Sequence, residues 1–246
     1  MTPGKEAPPP PGPKRLYTLA EAAPLDGGYT VRLDTRLVRT PHRAKLIVPT
    51  LALAQGLAVE WAGQGEFVSP LTMPLNRMAH TAIDLIAVNH DGLVAELATY
   101  AGTDLLCYRA ESPRDLVRRQ ADAWQPWLDW AAEIYGARLI VTEGVIAVRQ
   151  SDEALDRLKQ AVRAHDHFQL AALQLAVNTA GSLILGLALS RGALSADSAA
   201  AIAEVDDAYQ IERWGDDHQA KAKRERAHRD IKAADQFFRA LENKGN

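Results

Sequence analysis

The chain has 246 residues, enough for one large domain or two modest ones, and its 47% hydrophobic and 24% charged side chains are the balance of a globular protein. A net charge of −3 gives no global pull toward nucleic acid or an anionic membrane. The single cysteine, Cys107, excludes an internal disulfide and a multi-cysteine metal site, suits a reducing compartment, and reads as a small buried apolar side chain.

Residues 1–13, with four consecutive prolines at Pro8–Pro11, have neither an apolar stretch nor an amphipathic basic pattern. They read as a disordered tail rather than a targeting segment. Strand signals follow. Asp26-Gly27-Gly28 predicts a hairpin turn, and Tyr29, Val31 and Leu33 alternate with Thr30, Arg32 and Asp34. Asp34-Thr35 predicts a second turn, Leu37-Val38 a third strand and Leu46-Ile47-Val48 a fourth. So small a sheet must pack on helices to be stable.

Thr50 is placed to cap a helix from Leu51 to about Gly63, with Leu53, Leu57 and Trp61 on its apolar side. There Trp61 is expected to stitch the strand-rich part onto the helices. A proline-punctuated loop leads into a helix from about Leu75, and another is predicted over about Leu93–Tyr108. Ser112 and Pro113 read as N-cap and first helical position of a helix that runs to Tyr135 and stops at Gly136. Residues 137–149 alternate and turn at Glu143-Gly144, which predicts a hairpin. Ser151 caps a helix to about His165.

The stretch from Leu170 to Leu189 has no charged residue and is apolar on every side, so it requires a core or a bilayer. Gln174, Asn178, Thr179 and Ser182 would be costly in lipid, which makes this a buried central helix, broken near Gly181. Ser195 then caps a long helix through Trp214, and a further helix reaches the end. The fold class is therefore α+β. A strand-rich N-terminal domain over 14–75 packs on a larger, mainly helical C-terminal domain over 76–246.

The familiar catalytic spacings are missing: there is no phosphate-cradling glycine loop, no nucleophile elbow and no H-E-x-x-H. His165-Asp166-His167 could share a metal, but before an apolar helix it reads more simply as a polar loop with an N-cap aspartate. Lys221–Lys232 is the densest basic run. Its interleaved Glu225 and Asp230, and its lack of aromatics, suit an exposed helix rather than a nucleic-acid site. The most pointed cluster is Glu204, Asp206, Asp207, Gln210 and Trp214. It could be a recognition patch or a source of general acids for a hydrolase or transferase, or a solvated helix face with Trp214 tucked into the core.

These residues also carry a resemblance. "VDDAYQIERWG" resembles the C-terminal signature of the assembly chaperones for the ATP synthase alpha subunit. "PHRAKLIVPTLALAQGLAVEWAGQ", "PLTMPLNRMAHTAID", "YAGTDLLCYRA", "QADAWQPWLDWAAEIYGARLIV" and "LQLAVNTAGSLILGLALSRG" extend it in order over nearly all of the chain after the tail. The resemblance implies a chaperone and not an enzyme, holding the unassembled alpha subunit by surface meant for the beta subunit. No cofactor, metal, nucleic acid, small-molecule substrate or membrane insertion is expected. It also implies an acidic functional side chain just before Tyr209-Gln210, where this chain has Asp206 and Asp207. The expected location is a bacterial cytoplasm, or the mitochondrial matrix if the source is eukaryotic.

Overall fold

A computed structural model describes residues 12–144 and 148–242. The proline-rich tail lies outside these residues except for Gly12 and Pro13, and the Pro13 carbonyl accepts from the Val68 backbone N–H at 2.9 Å.

Strands β1 (Ala20–Leu25) and β2 (Gly28–Leu33) form the expected hairpin, with Asp26 and Gly27 both left-handed at φ 48° and 81°. Two consecutive positive φ values give the turn whose twist matches the flanking strands. The short β3 (Arg36–Leu37) adds to β2, giving an antiparallel sheet in the order β1-β2-β3. The fourth strand expected at Leu46-Ile47-Val48 is reduced to a single bridge between Val48 and Tyr29. Leu46 and Val48 are nonetheless buried, so the apolar run that suggested a strand serves the core directly.

Helix α1 (Leu51–Ala62) packs under the hairpin. Thr50 caps it by accepting from Leu53 N–H at 3.2 Å, while its own hydroxyl donates to the Ala240 carbonyl at 2.7 Å. From the other end of α1, the Glu60 carboxylate accepts from the Leu75 and Asn76 N–H groups (2.8 and 2.9 Å) and so caps α2 (Pro74–Thr81). Trp61 is only partly buried. Its indole N–H donates to Asn76 Oδ1 at 2.8 Å, and its carbonyl accepts from the Tyr17 hydroxyl at 2.7 Å. The stitch between the two parts is thus polar as well as apolar. Trp61→Phe keeps an aromatic ring but removes the indole N–H, leaving Oδ1 of Asn76, a residue 2% exposed, without that donor. We expect a loss of about 1–3 kcal/mol, the usual cost of orphaning a buried polar atom, read as a lower urea midpoint at unchanged slope.

After α2 one π-type turn spans Ala82–Ile86, and α3 covers only His90–Thr99. The expected longer helix to Tyr108 instead gives way to two short 3₁₀ turns, with Thr103 and Asp104 out of the helical conformation and the Asp104 carboxylate accepting from Leu106 N–H nearby and Ile184 N–H further along the chain. Cys107 is buried there, and burial pushes its thiol up to about 12. The short β4 (Tyr108–Arg109) precedes α4 (Arg114–Tyr135), which stops at the left-handed Gly136 as expected. The start of α4 differs from expectation: Pro113 takes the extended cap position after a cis Ser112–Pro113 peptide, and Ser112 does not cap. Of the hairpin expected over 137–149, residues 145–147 lie outside the described ones. The strand β5 (Thr142–Glu143) pairs in parallel with β4.

Helix α5 (Asp152–Arg163) is capped by Ser151. The apolar stretch forms α6 (His167–Ala180) and α7 (Leu183–Ser190), separated at Gly181 with φ 67°. Every residue from Leu183 to Leu189 is buried. Gly186 is required by close approach, since a Cβ there would sit 2.6 Å from Val177 Cγ2. No helix among the described residues is long and apolar enough to cross a membrane. One contiguous apolar cluster, from Val31 to Leu241, surrounds α6 and α7.

The expected long helix from Ala196 to Trp214 is two helices, α8 (Ala196–Ala203) and α9 (Val205–Trp214), with the break at Glu204. Helix α10 (His218–Glu242) buries only its second half, from Ile231 on, against α6 and α8.

Candidate partner-binding site

The break at Glu204 turns α9 onto α4, and that contact decides which of its side chains remain free. Tyr209 is 3% exposed, and its hydroxyl donates to Asp115 Oδ1 at 3.0 Å. Arg213 donates to the other oxygen of Asp115 at 2.5 Å, and Arg119 pairs with Glu212 at 2.8 Å. Asp206 accepts at 2.6 Å from Gln120 Nε2. Gln120 is itself 2% exposed, and its Oε1 accepts from Ala110 N–H. Asp206 therefore holds α9 to α4. Glu204 also points inward: its Oε1 is buried with no hydrogen-bond partner, and burial raises its carboxyl above the ordinary range against the pull of Arg224 and His228.

At 100° per residue, Asp207 and Trp214 lie about 20° apart, while Gln210 falls between Asp206 and Asp207, about 60° from the latter. Asp207, Gln210 and Trp214 are all exposed, and Asp207 and Gln210 have no side-chain hydrogen bond or ion pair among the described residues. Trp214 is 78% exposed, which overturns its placement in the core. Thus it is exposure and the lack of a partner, not a shared helix face, that set Asp207, Gln210 and Trp214 apart from Asp206 and Glu204. The sequence signal missed was Gln120, a glutamine that falls on the buried side of α4.

The histidine pair has local duties. Asp166 accepts from Phe168 and Gln169 N–H (2.8 and 2.9 Å), and Gln169 Oε1 accepts from Asp166 N–H in return, a complete capping box. His165 bonds the Ala161 carbonyl and the Ser190 hydroxyl, tying the end of α5 to the end of α7. Among the described residues no group of three His, Cys, Asp or Glu side chains is placed to hold a metal.

An exposed aromatic beside a carboxylate and an amide has the make-up expected of the class of proteins that bind another macromolecule. Comparison with known proteins gives the class a family. Residues 14–132 match the ATP12 chaperone protein family. The crystal structure of ATP12 from Paracoccus denitrificans superposes with a TM-score of 0.87 at 41% identity, covering 93% of this chain and 98% of that one. The Atu1473 protein from Agrobacterium tumefaciens superposes at 0.89 with 39% identity, over 93% and 86% of the two chains. The mitochondrial ATP12 protein of Schizosaccharomyces pombe is 26% identical over 219 residues, 84% of this chain and 75% of its own length. The chain belongs to the ATP12 chaperone family.

Proposed function

We propose that this ATP12-family chaperone, acting in ATP synthase assembly, captures the unassembled alpha subunit through the outward face of α9. The observation that carries the reading is Trp214, 78% exposed at the end of a helix whose other side is clamped to α4. A preorganised aromatic loses little entropy on binding, and Asp207 and Gln210 beside it can pair with an arginine or amide of the client. What points to the alpha subunit as client is the resemblance carried by "VDDAYQIERWG". The reading invokes no cofactor, nucleic acid, small-molecule substrate or membrane insertion. It places the protein in a bacterial cytoplasm or, for a eukaryotic source, in the mitochondrial matrix. A hydrolase reading draws less support, since Asp206 is engaged by Gln120 and Asp207 stands exposed, without the burial that tunes a general acid.

The test is suppression of aggregation of isolated alpha subunit. Light scattering should fall with added chaperone and level off near one chaperone per subunit, with isolated beta subunit unprotected. Equal protection of both subunits, or none of either, would overturn the assignment of the client.

A further inference from the structure

Helix α9 is too short to stand by itself. It has 10 residues, of which only Tyr209 is buried. An isolated helix of fewer than about 12–15 residues is marginal in water, so contact with α4 is what keeps α9 in shape. Its first turn is held by Asp206 on Gln120 and by the chain entering from α8. Its last turn, which carries Trp214, has no such support from the chain that follows. The next residue is the exposed Gly215, at φ 85°, with open space where a side chain would be.

What fixes that last turn is the start of α4. Asp115 lies in the first turn of α4, where free N–H groups and the helix dipole favour a carboxylate. One of its oxygens accepts from the Tyr209 hydroxyl at 3.0 Å and the other from Arg213 at 2.5 Å. One turn further along α4, Arg119 pairs with Glu212 at 2.8 Å. The guanidiniums of Arg119 and Arg213 stand 5.4 and 5.0 Å from the centre of the Tyr209 ring, within cation–π range. Asp115 thus joins the buried Tyr209 to Arg213, the neighbour of Trp214 in sequence. Partial burial raises its carboxyl, but the hydrogen bonds from Tyr209 and Arg213 outweigh this and hold it below the usual carboxylate range. Near neutrality it therefore accepts as a carboxylate. Exposed ion pairs add little to overall stability, so these ties act on where α9 sits rather than on whether the chain folds.

We propose that Asp115 is a positioning residue for client capture: without touching the client, it docks the last turn of α9 on α4 and so fixes Trp214 in the place from which it binds. This rests on the alpha-subunit reading above. When only a fraction of molecules holds the binding-competent arrangement, the apparent affinity falls by that fraction. Loss of the Asp115 carboxylate should leave α9 docked in about one molecule in ten, which weakens capture about 10-fold. The same opening should expose the α9 amides to exchange, since an undocked α9 melts while the core helices stay protected.

The experiment compares the full chain with its Asp115→Asn and Asp115→Glu variants. It measures hydrogen exchange of the α9 and α7 amides, the melting temperature, and the affinity for isolated alpha subunit. Asparagine keeps one acceptor and replaces the other with a donor, so Arg213 loses its partner. In Asp115→Asn, exchange in α9 should quicken and affinity should fall about 10-fold, with α7 exchange and the melting temperature nearly unchanged. Asp115→Glu keeps the carboxylate and should recover both. Arg213→Gln leaves Asp115 and Tyr209 in place and should show the same local effect, which keeps the test open if Asp115→Asn destabilises the whole chain. Faster α9 exchange with unchanged affinity overturns the role of Asp115 in capture. Lost affinity with unchanged α9 exchange also overturns it, because Asp115 would then touch the client itself. If wild type does not capture the alpha subunit, the client reading fails, whereas equal capture by wild type and every variant overturns only the role given to Asp115.

Discussion

Replacing Asp104 by alanine should lower the melting temperature by about 5–20 °C. Its carboxylate is fully buried and joins two parts of the chain far apart in sequence. One oxygen accepts from Leu106 N–H and the other from Ile184 N–H, each at 3.1 Å. The second donor belongs to the first turn of α7, where N–H groups have no partner within the helix. Removing the carboxylate leaves both donors buried without an acceptor, at roughly 1–3 kcal/mol each, for a total of about 2–6 kcal/mol. In a chain of this size each kcal/mol moves the midpoint by about 2–4 °C. A shift of under a degree or two would mean that water or a rearranged loop satisfies these donors.

The same group gives a pH signature. Burial raises the Asp104 carboxyl to about 6, in spite of hydrogen bonds from Ser182, Ile184, Leu106 and Leu183. In the unfolded chain it titrates near about 3.9. The folded state thus holds the proton more tightly. The stabilisation linked to that proton is complete below about pH 4 and is lost as pH rises through about 6. Asp104→Asn cannot titrate there. The stability advantage of wild type over this variant should therefore be greatest at the acid end and narrow toward neutrality, as followed by urea unfolding across that range.

How much of this was legible in the sequence depended on whether the signal was local. Asp26-Gly27 specified its turn, Thr50, Ser151 and Ser195 specified helix starts, and Gly136 and Gly181 specified stops, because each acts on its own backbone. What failed depended on distant partners. Leu46-Ile47-Val48 has a strand's composition but meets β2 only at Tyr29. Thr142-Glu143 finds a partner in β4, some thirty residues earlier in the chain, which no local pattern announces. The break at Glu204 has no glycine or proline to announce it, yet it turns α9 so that Tyr209 reaches Asp115. The acidic cluster was visible as composition and family resemblance. Its division into an inner half, Glu204 and Asp206, and an outer half, Asp207, Gln210 and Trp214, depended on that break and on Gln120.

That division predicts opposite outcomes for the two adjacent aspartates. Asp207 makes no side-chain hydrogen bond or ion pair within the described chain and meets Arg224 only as a nearby charge, so Asp207→Ala should leave the melting temperature within about a degree, as surface substitutions generally change stability by no more than about 0.5 kcal/mol. In the complex its carboxylate would be desolvated against a client cation or amide, and truncating one partner of such a pair costs roughly 2–5 kcal/mol of binding. That amounts to about 30- to several-thousand-fold in affinity for the alpha subunit. Trp214→Ala should weaken capture by at least about 30-fold, the size of an aromatic hot spot, again without loss of stability, because its ring is already in solvent. Asp206→Ala should do the reverse. It orphans the buried Gln120 Nε2, lowers stability by about 1–3 kcal/mol, and weakens capture only as far as α9 loosens from α4. Asp207→Glu should largely restore binding, since the carboxylate is kept and the exposed face has room for one more methylene. Titrations of alpha subunit by each variant, run beside their melting curves, separate the two roles. If Asp206→Ala abolishes capture at unchanged melting temperature while Asp207→Ala binds normally, the contacting carboxylate is Asp206, and α9 must swing off α4 to bind its client.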